Sequence, residues 1–250
     1  MKALITGASS GIGKSIAIEL AKRKYKLVLV ARDKEKLEQL KKELNTNVEI
    51  YALDLADENN CKLLYSNVKD VDVLINNAGF GLLGNFTSTD LDTELNMIKT
   101  NDIAVHILTK LYLTDMKAKN SGHILNVASI AGFMPGPLMA TYYATKSYVV
   151  RLTQSIKEEL KQEKSDVKIS LLCPGPVNTN FNNVAGVRFR LRSLTSDYVA
   201  EYAIKRMLNN KFLIIPGLDI KFAIRFSKLI PDILLGKIAY RMQKKKNWIR

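Results

Sequence analysis

Tyr142 and Lys146 stand four residues apart in Thr141-Tyr142-Tyr143-Ala144-Thr145-Lys146, which opens a segment free of Gly and Pro to about residue 164. That composition predicts a long helix, and at i and i+4 both side chains leave one helix face within reach of each other. A free phenol, with a pKa of about 10, releases its proton poorly near neutrality; a fixed ammonium and a helix N-terminus both favour the phenolate. The pair is therefore a candidate acid/base group. Ser129 lies thirteen residues before Tyr142, just after the apolar run Ile124-Leu125-Asn126-Val127. If that run is a buried strand, the Ser129 hydroxyl sits at its carboxyl end, where an open α/β sheet keeps its ligands. Spacing alone does not decide the matter, because a packed Tyr and a solvated Lys at i and i+4 are common on helices.

The elements that must position these residues alternate along the chain. Short Val/Ile/Leu-rich runs at 2–6, 26–31, 48–53, 71–75, 124–127, 167–173 and 212–215 predict seven strands. Helical patterns occupy 12–24, a charged stretch capped by Asp33 and running to 44, then 56–68, 89–119, the Tyr142 segment and 196–208. Strand–helix alternation predicts an α/β fold: a single doubly wound domain, its mainly parallel sheet covered by helices on both faces. Residues 1–216 form that domain, including a lid at 180–196; residues 217–250 form a basic amphipathic helical extension and not an independent domain. No internal repeat, low-complexity tract or interdomain linker interrupts it.

Composition narrows the function. At 250 residues, 47% of them hydrophobic, the chain can bury a large core. Cys61 and Cys173 have no second Cys or His at ligand spacing, so neither a disulfide framework nor a metal site is expected. A reducing, cytoplasmic setting fits, and the apolar run at the N-terminus is too short for a signal peptide. The longest uncharged stretch, 120–145, is broken by Gly and Pro and would not span a bilayer. Net charge is +14, and residues 217–250 hold nine Lys/Arg against Asp219 and Asp232, so +7 of it is local to the tail. No nucleic-acid module accompanies that charge, and none is expected as a partner.

Between the first strand and helix lies Thr6-Gly7-Ala8-Ser9-Ser10-Gly11-Ile12-Gly13, a turn that lets backbone approach a pyrophosphate at a helix N-terminus. Together with Asn76-Asn77-Ala78-Gly79, Asn101, Ser129, Tyr142, Lys146 and Pro174-Gly175-Pro176-Val177-Asn178-Thr179, in this order and spacing, it resembles the short-chain dehydrogenase/reductase family over about 2–215. The resemblance implies a Rossmann-type sheet binding a nicotinamide nucleotide. Position by position, it implies that Gly7, Ser9, Ser10, Gly11, Ile12 and Gly13 surround the pyrophosphate and adjoining ribose. Asp54 and Leu55 meet the adenine, Asn77, Ala78 and Gly79 line the adenosine side, and Pro174, Gly175, Val177 and Thr179 hold the nicotinamide end. Asn76 knits neighbouring strands. After the second strand stands Ala31-Arg32, and Arg pairs with the 2′-phosphate of NADP(H), whereas an acidic residue there selects NAD(H). Arg32 favours NADP(H), with Asp33 a competitor unless it caps the following helix.

By the same resemblance, Ser129 donates to the substrate carbonyl and Tyr142 is the acid/base. Lys146 lowers the Tyr142 pKa and holds the nicotinamide ribose, and Asn101 anchors a water that connects Lys146 to solvent. The implied activity is NADP(H)-dependent interconversion of a carbonyl compound and its secondary alcohol, in a homodimer or homotetramer paired through helices 102–119 and 142–164. A nucleotide-binding regulatory or scaffold protein, or a membrane-surface protein, is the alternative.

Other residues read more plainly. Tyr143 is expected to pack or line the pocket, His106 and His123 to serve core or surface roles, and Cys173 to be a small buried hydrophobe. Met134, Leu138 and Met139 suggest an apolar pocket wall suited to acyl, steroid-like or aromatic ketones. In the lid, Arg188, Arg190 and Arg192 alternate with apolar residues and either attract an anionic substrate group or form a solvated face. The tail carries basic stripes Lys221/Arg225/Lys228 and Lys237/Arg241/Lys244 beside apolar faces; it either lies on an anionic membrane or packs on the pocket or a second subunit.

Overall fold

The computed structural model describes residues 1–179, 181, 185–186, 193–227 and 230–244. Arg188, Arg190, Arg192 and Lys228 lie outside the described residues. Seven parallel strands form one sheet, ordered β3-β2-β1-β4-β5-β6-β9, from β1 (Lys2–Thr6), β2 (Lys26–Ala31), β3 (Val48–Ala52), β4 (Val73–Asn76), β5 (His123–Val127), β6 (Lys168–Leu172) and β9 (Leu213–Ile214). A second sheet, the parallel pair β7 (Val177–Asn178) and β8 (Leu194–Thr195), was not expected. Two-residue strands are too short for hydrophobic alternation to register.

Strands covered on both faces read as unbroken apolar runs, and these do. Alternate residues feed two cores. Ala3, Ile5, Leu27 and Leu29 pack beneath α1 (Gly11–Lys22), α2 (Lys34–Glu43) and α7 (Ser196–Leu208). Leu4, Val28, Val30 and Leu74 pack under α3 (Glu58–Asn67), α5 (Ala104–Ala118) and the far end of α6 (Ala140–Gln162). The first helix ends at Lys22, short of the expected residue 24, because Lys24 turns left-handed at φ 62°. The expected helical stretch 89–119 is α4 (Leu91–Ile98), one π turn (Lys99–Ile103) and α5. The tail forms α8 (Leu218–Ser227) and α9 (Asp232–Lys244), and no described helix is long and apolar enough to cross a membrane.

One buried polar network crosses the sheet. The Asn76 amide donates to Asn126 Oδ1 at 2.8 Å and to Thr109 Oγ1 at 2.9 Å, and Asn126 Nδ2 donates to Thr153 Oγ1 at 3.0 Å. Asn76 does tie strands together, β4 to β5, and through Asn126 it reaches α6, the helix that carries Tyr142. Replacing Asn126→Leu removes two buried bonds, leaving the Asn76 amide only Thr109 and the Thr153 hydroxyl only its own donation to the Val149 carbonyl at 2.7 Å. At about 0.5–1.5 kcal/mol for each bond lost, a loss of about 1–3 kcal/mol is expected, seen as a lower urea midpoint at unchanged m value.

Candidate active site

The chain order places β1 and β4 side by side at the point where the strand order reverses, which opens a crevice at their carboxyl ends. Two loops close against each other there. Thr6 Oγ1 accepts from the backbone N–H groups of Asn77 (2.9 Å) and Ala78 (3.0 Å), while Asn77 Nδ2 donates to the carbonyls of Thr6 (3.0 Å) and Gly7 (3.2 Å). The approach is so close that a Cβ on Gly13 would lie 2.2 Å from the Gly7 carbonyl oxygen. Gly11 enters α1 at φ +53° with the Thr179 methyl against it, which joins the turn to the loop after β6.

The N-terminus of α1 has an open anion site. Ser10 takes the N-cap position without a side-chain capping bond, and no acidic residue stands in the first turn. Unpaired N–H groups and the positive end of the helix dipole there suit a pyrophosphate. Ser9, Ile12, Asn77 and Ala78, half-buried, and Ser10 and Gly79, exposed, border that opening. A nicotinamide nucleotide fits this arrangement: glycine-limited backbone at the turn, an uncapped helix above it, and the residues 174–179 at its far end.

The residues expected at the adenosine end separate into free and committed groups. Arg32 is exposed at the end of β2. Asp33 is spent on the helix: its carboxylate accepts from Lys36 N at 2.9 Å and pairs with Lys36 Nζ at 2.6 Å. Asp54 is exposed, accepting from Ala56 N at 3.0 Å, while Leu55 is buried. On the other side, the Pro174 carbonyl accepts from Ile130 N at 3.1 Å, Ile220 of α8 covers Gly175, and Val177 is buried.

Ser129, Tyr142, Lys146 and Asn101 come together at the ends of β4 and β5, all buried. Ser129 caps the turn Ile130–Phe133, its oxygen accepting from Ala131 N at 3.1 Å while its O–H makes only a long bond to the Pro174 carbonyl, 3.5 Å. Lys146 is 5% exposed, with Nζ donating to the Val127 carbonyl at 3.3 Å and standing 5.9 Å from the centre of the Tyr142 ring. The π turn re-aims Asn101 into the site, a frequent use of such bulges. Its amide accepts from Phe80 N (3.0 Å) and donates to Phe80 O (2.9 Å) and Thr145 Oγ1 (3.0 Å). Thr145 in turn donates to the Tyr142 carbonyl at 2.7 Å, so the Asn101 side chain braces the helix that carries Tyr142. A Cβ on Gly79 would lie 2.8 Å from Asn101 Oδ1 and 3.3 Å from Lys146 Nζ, so all three converge on one spot.

The electrostatics differ from the sequence expectation. Burial pushes the Tyr142 phenol up, with the Ser129 hydroxyl opposing, and Lys146 does not overcome it. Burial pushes Lys146 itself down to about 8, opposed by the Asp102 carboxyl. The reason is tertiary: both groups are enclosed, and desolvation disfavours each charged form more than their mutual distance compensates. The protein alone therefore holds a protonated phenol, the form that can donate a proton.

An apolar cluster surrounds the phenol: Phe80, Met97, Met139, Tyr143, Phe181 and Ala185. Met139 is part of it, but Met134 and Leu138 are not. Tyr143 packs on Gly136, and its hydroxyl accepts from Gln243 Nε2 of α9 at 2.7 Å. His106 is exposed with Nδ1 2.6 Å from the Tyr148 hydroxyl; His123 is buried beside Ser170 Oγ at 2.8 Å, and burial pushes it down to about 4. Cys173 is fully buried. Sequence reading missed Thr6, Thr145 and Gln243. Thr6 and Thr145 adjoin motif residues, which was the only signal; their partners lie 71 and 44 residues away. Nothing marked Gln243.

Asp102, next to Asn101, has a buried Oδ1 without a hydrogen-bond partner, and burial pushes its carboxyl up to about 7. A carboxyl whose folded pKa exceeds its unfolded value of about 4 stabilises fully below that value and loses the contribution as pH rises to about 7. Asp102→Asn should therefore raise Tm at pH 8 and leave it nearly unchanged at pH 4, as read by differential scanning fluorimetry.

Comparison with known proteins gives the same picture. The family model for short chain dehydrogenases matches residues 1–186. An NADP-dependent 3-hydroxy acid dehydrogenase of Schizosaccharomyces pombe is 38% identical over 191 residues, covering 72% of this chain and 73% of its own. A short-chain dehydrogenase from Sphingobium yanoikuyae solved with NADPH superposes with TM-score 0.82 at 30% identity over 91% of each chain. One from Burkholderia phymatum solved with NAD superposes with TM-score 0.83 at 25% identity over 92% of this chain and 95% of that one. The chain belongs to the short-chain dehydrogenase/reductase family of oxidoreductases, whose chemistry interconverts CH–OH and C=O groups with a nicotinamide nucleotide.

Proposed function

We propose that this protein is an NADP(H)-dependent reductase of apolar carbonyl compounds, working reversibly, with Tyr142 as its acid/base. The observation that carries the reading is the convergence of a buried, protonated phenol with Ser129, Lys146 and Asn101 beside a crevice shaped for a dinucleotide. When bound, the nucleotide supplies the hydride. The chain's own residues do the rest. The Ser129 hydroxyl donates to the carbonyl oxygen, polarising it; Tyr142 Oη releases its proton to that oxygen as negative charge develops. Lys146 stabilises the phenolate left behind, with an ammonium that keeps its proton only up to a pKa of about 8. The cluster of Phe80, Met97, Met139 and Phe181 keeps water from the reacting oxygen and favours an apolar group beside it.

NADP(H) over NAD(H) rests on Arg32, free and exposed, and on Asp33, which is occupied by helix capping and Lys36. The S. pombe relative, which acts on 3-hydroxy acids, makes acids and their esters the first carbonyl class to try; Arg188, Arg190 and Arg192 would attract a carboxylate. Subunit pairing through α5 and α6 completes the reading. It is supported by the exposed Tyr148 on α6 lying against His106 on α5, and a monomer by sedimentation velocity at micromolar concentration would remove it.

Tyr142→Phe should cut NADPH-dependent reduction of 3-oxo esters by about 10²–10⁴-fold while NADPH affinity stays within about threefold, measured by stopped-flow and calorimetry. Nucleotide binding without turnover by the wild type on 3-oxo, aromatic or alicyclic ketones would instead favour a regulatory nucleotide-binding role. Arg32→Asp should weaken NADPH about 10- to 100-fold, the loss of one or two charge-assisted bonds, with NADH affinity maintained; equal losses for both nucleotides would place the 2′-phosphate elsewhere.

A further inference from the structure

The two tail helices present two different faces. Inward, Ile224, Leu235, Ala239 and Gln243 are buried, with Ile220 on Gly175, Gly236 on Pro135 and Gln243 on Tyr143. The tail thus packs on the substrate side of the site. Outward, Phe222 is 63% exposed, Phe226 68% and Ile233 80%, joined by exposed Leu234, Ile238 and Tyr240. Exposed Lys221 lies beside Phe222, and Lys237, Arg241 and Lys244 run at i, i+4 and i+7 along α9, opposite its buried stripe.

One exposed Phe or Ile needs no explanation, but six large apolar side chains on consecutive helices are a docking surface. The charge on it discriminates among occupants. Asp219 and Asp232 are the sole acidic side chains of residues 217–250, against nine Lys/Arg. A second copy joined through this face by two-fold symmetry would set the Lys237, Arg241 and Lys244 stripes against each other, a like-charge contact that costs affinity. A nucleic acid would take the cations but has no use for Phe222, Phe226 and Ile233 in duplex grooves. An anionic lipid surface accepts both, apolar side chains at the headgroup–acyl boundary and cations among the headgroups. At 10 and 13 residues the helices are far shorter than the about 20 residues that cross a bilayer, so they would lie in the interface.

We propose that the outer face of α8 and α9 docks this protein on anionic membranes. Because the inner face of the same helices covers the site, docking turns the apolar cluster around Tyr142 toward the lipid, from which an apolar carbonyl compound could be drawn. The docking itself stands independently of the proposed reaction.

The test is flotation of the full chain with vesicles of phosphatidylcholine alone and with 30% phosphatidylserine, for the wild type, Lys237→Gln/Arg241→Gln/Lys244→Gln and Phe222→Ser/Phe226→Ser. The wild type should float only with the anionic vesicles and be released by salt. Loss of three cations, each worth about a fivefold change in binding near such a surface, should weaken flotation about 100-fold. The Phe pair should weaken it as well, and both variants should keep wild-type NADPH affinity, which shows them folded. A wild type that stays at the bottom of the gradient with anionic vesicles overturns the proposal. So does equal flotation with and without phosphatidylserine. Dissociation of an oligomer by Phe222→Ser/Phe226→Ser in sedimentation, without vesicle binding by the wild type, would assign the face to a second copy.

Discussion

A single buried ammonium sets the terms for this site. Lys146 is almost wholly removed from water, which costs several kcal/mol unless polar partners surround the charge. The fold supplies two and makes room for them. β5 ends so that the Val127 carbonyl accepts from Nζ, and the π turn brings the Asp102 carboxyl near enough to oppose the desolvation; the loop after β4 is held to Gly79, with no side chain to block the approach. Incomplete compensation leaves Lys146 at about 8, within reach of neutrality. A fully paired lysine would be a fixed cation and a solvated one a surface charge. This one is poised.

The rest of the structure keeps that arrangement stiff. Tyr142 is fixed one helical turn before Lys146, and Thr145 locks its backbone to Asn101. Asn76, Asn126 and Thr153 bolt the same helix to the middle of the sheet with bonds in a region where an unmade one is costly. At the other end of the crevice, the Thr6 hydroxyl and the Asn77 amide clamp the two loops that face the pyrophosphate position. Strand ends and helices thus carry the reacting groups, while the apolar cluster beside them draws on loop residues such as Phe80 as well as on Met97 of α4 and Tyr143 of α6.

Much of this was legible in the residues. Unbroken Val/Ile/Leu runs gave all seven strands of the main sheet, because strands buried on both faces leave no polar alternation to misread. Asp33 reads as a cap because an Asp before a charged helix has a local partner three residues on, and Asn76 reads as a strand tie. The misses share a cause. The rise of the Tyr142 pKa comes from enclosure by residues distant in sequence, which i, i+4 spacing does not reveal. The π turn is a single-residue insertion in a helical pattern, and β7 and β8 are too short to show a period. For the tail, hydrophobic and basic stripes announced two functional faces, but which face the pocket takes depended on Gln243 meeting Tyr143 across 100 residues.

The charge state of Lys146 is the most direct test. In a 15N-lysine NMR titration of the full chain, with the Nζ signal assigned by Lys146→Arg, that resonance should titrate near 8, below the ordinary lysine value of about 10.4. A Lys146 signal that titrates at the ordinary lysine value, or above it, would contradict a desolvated, poised ammonium and with it this account of how Tyr142 is served.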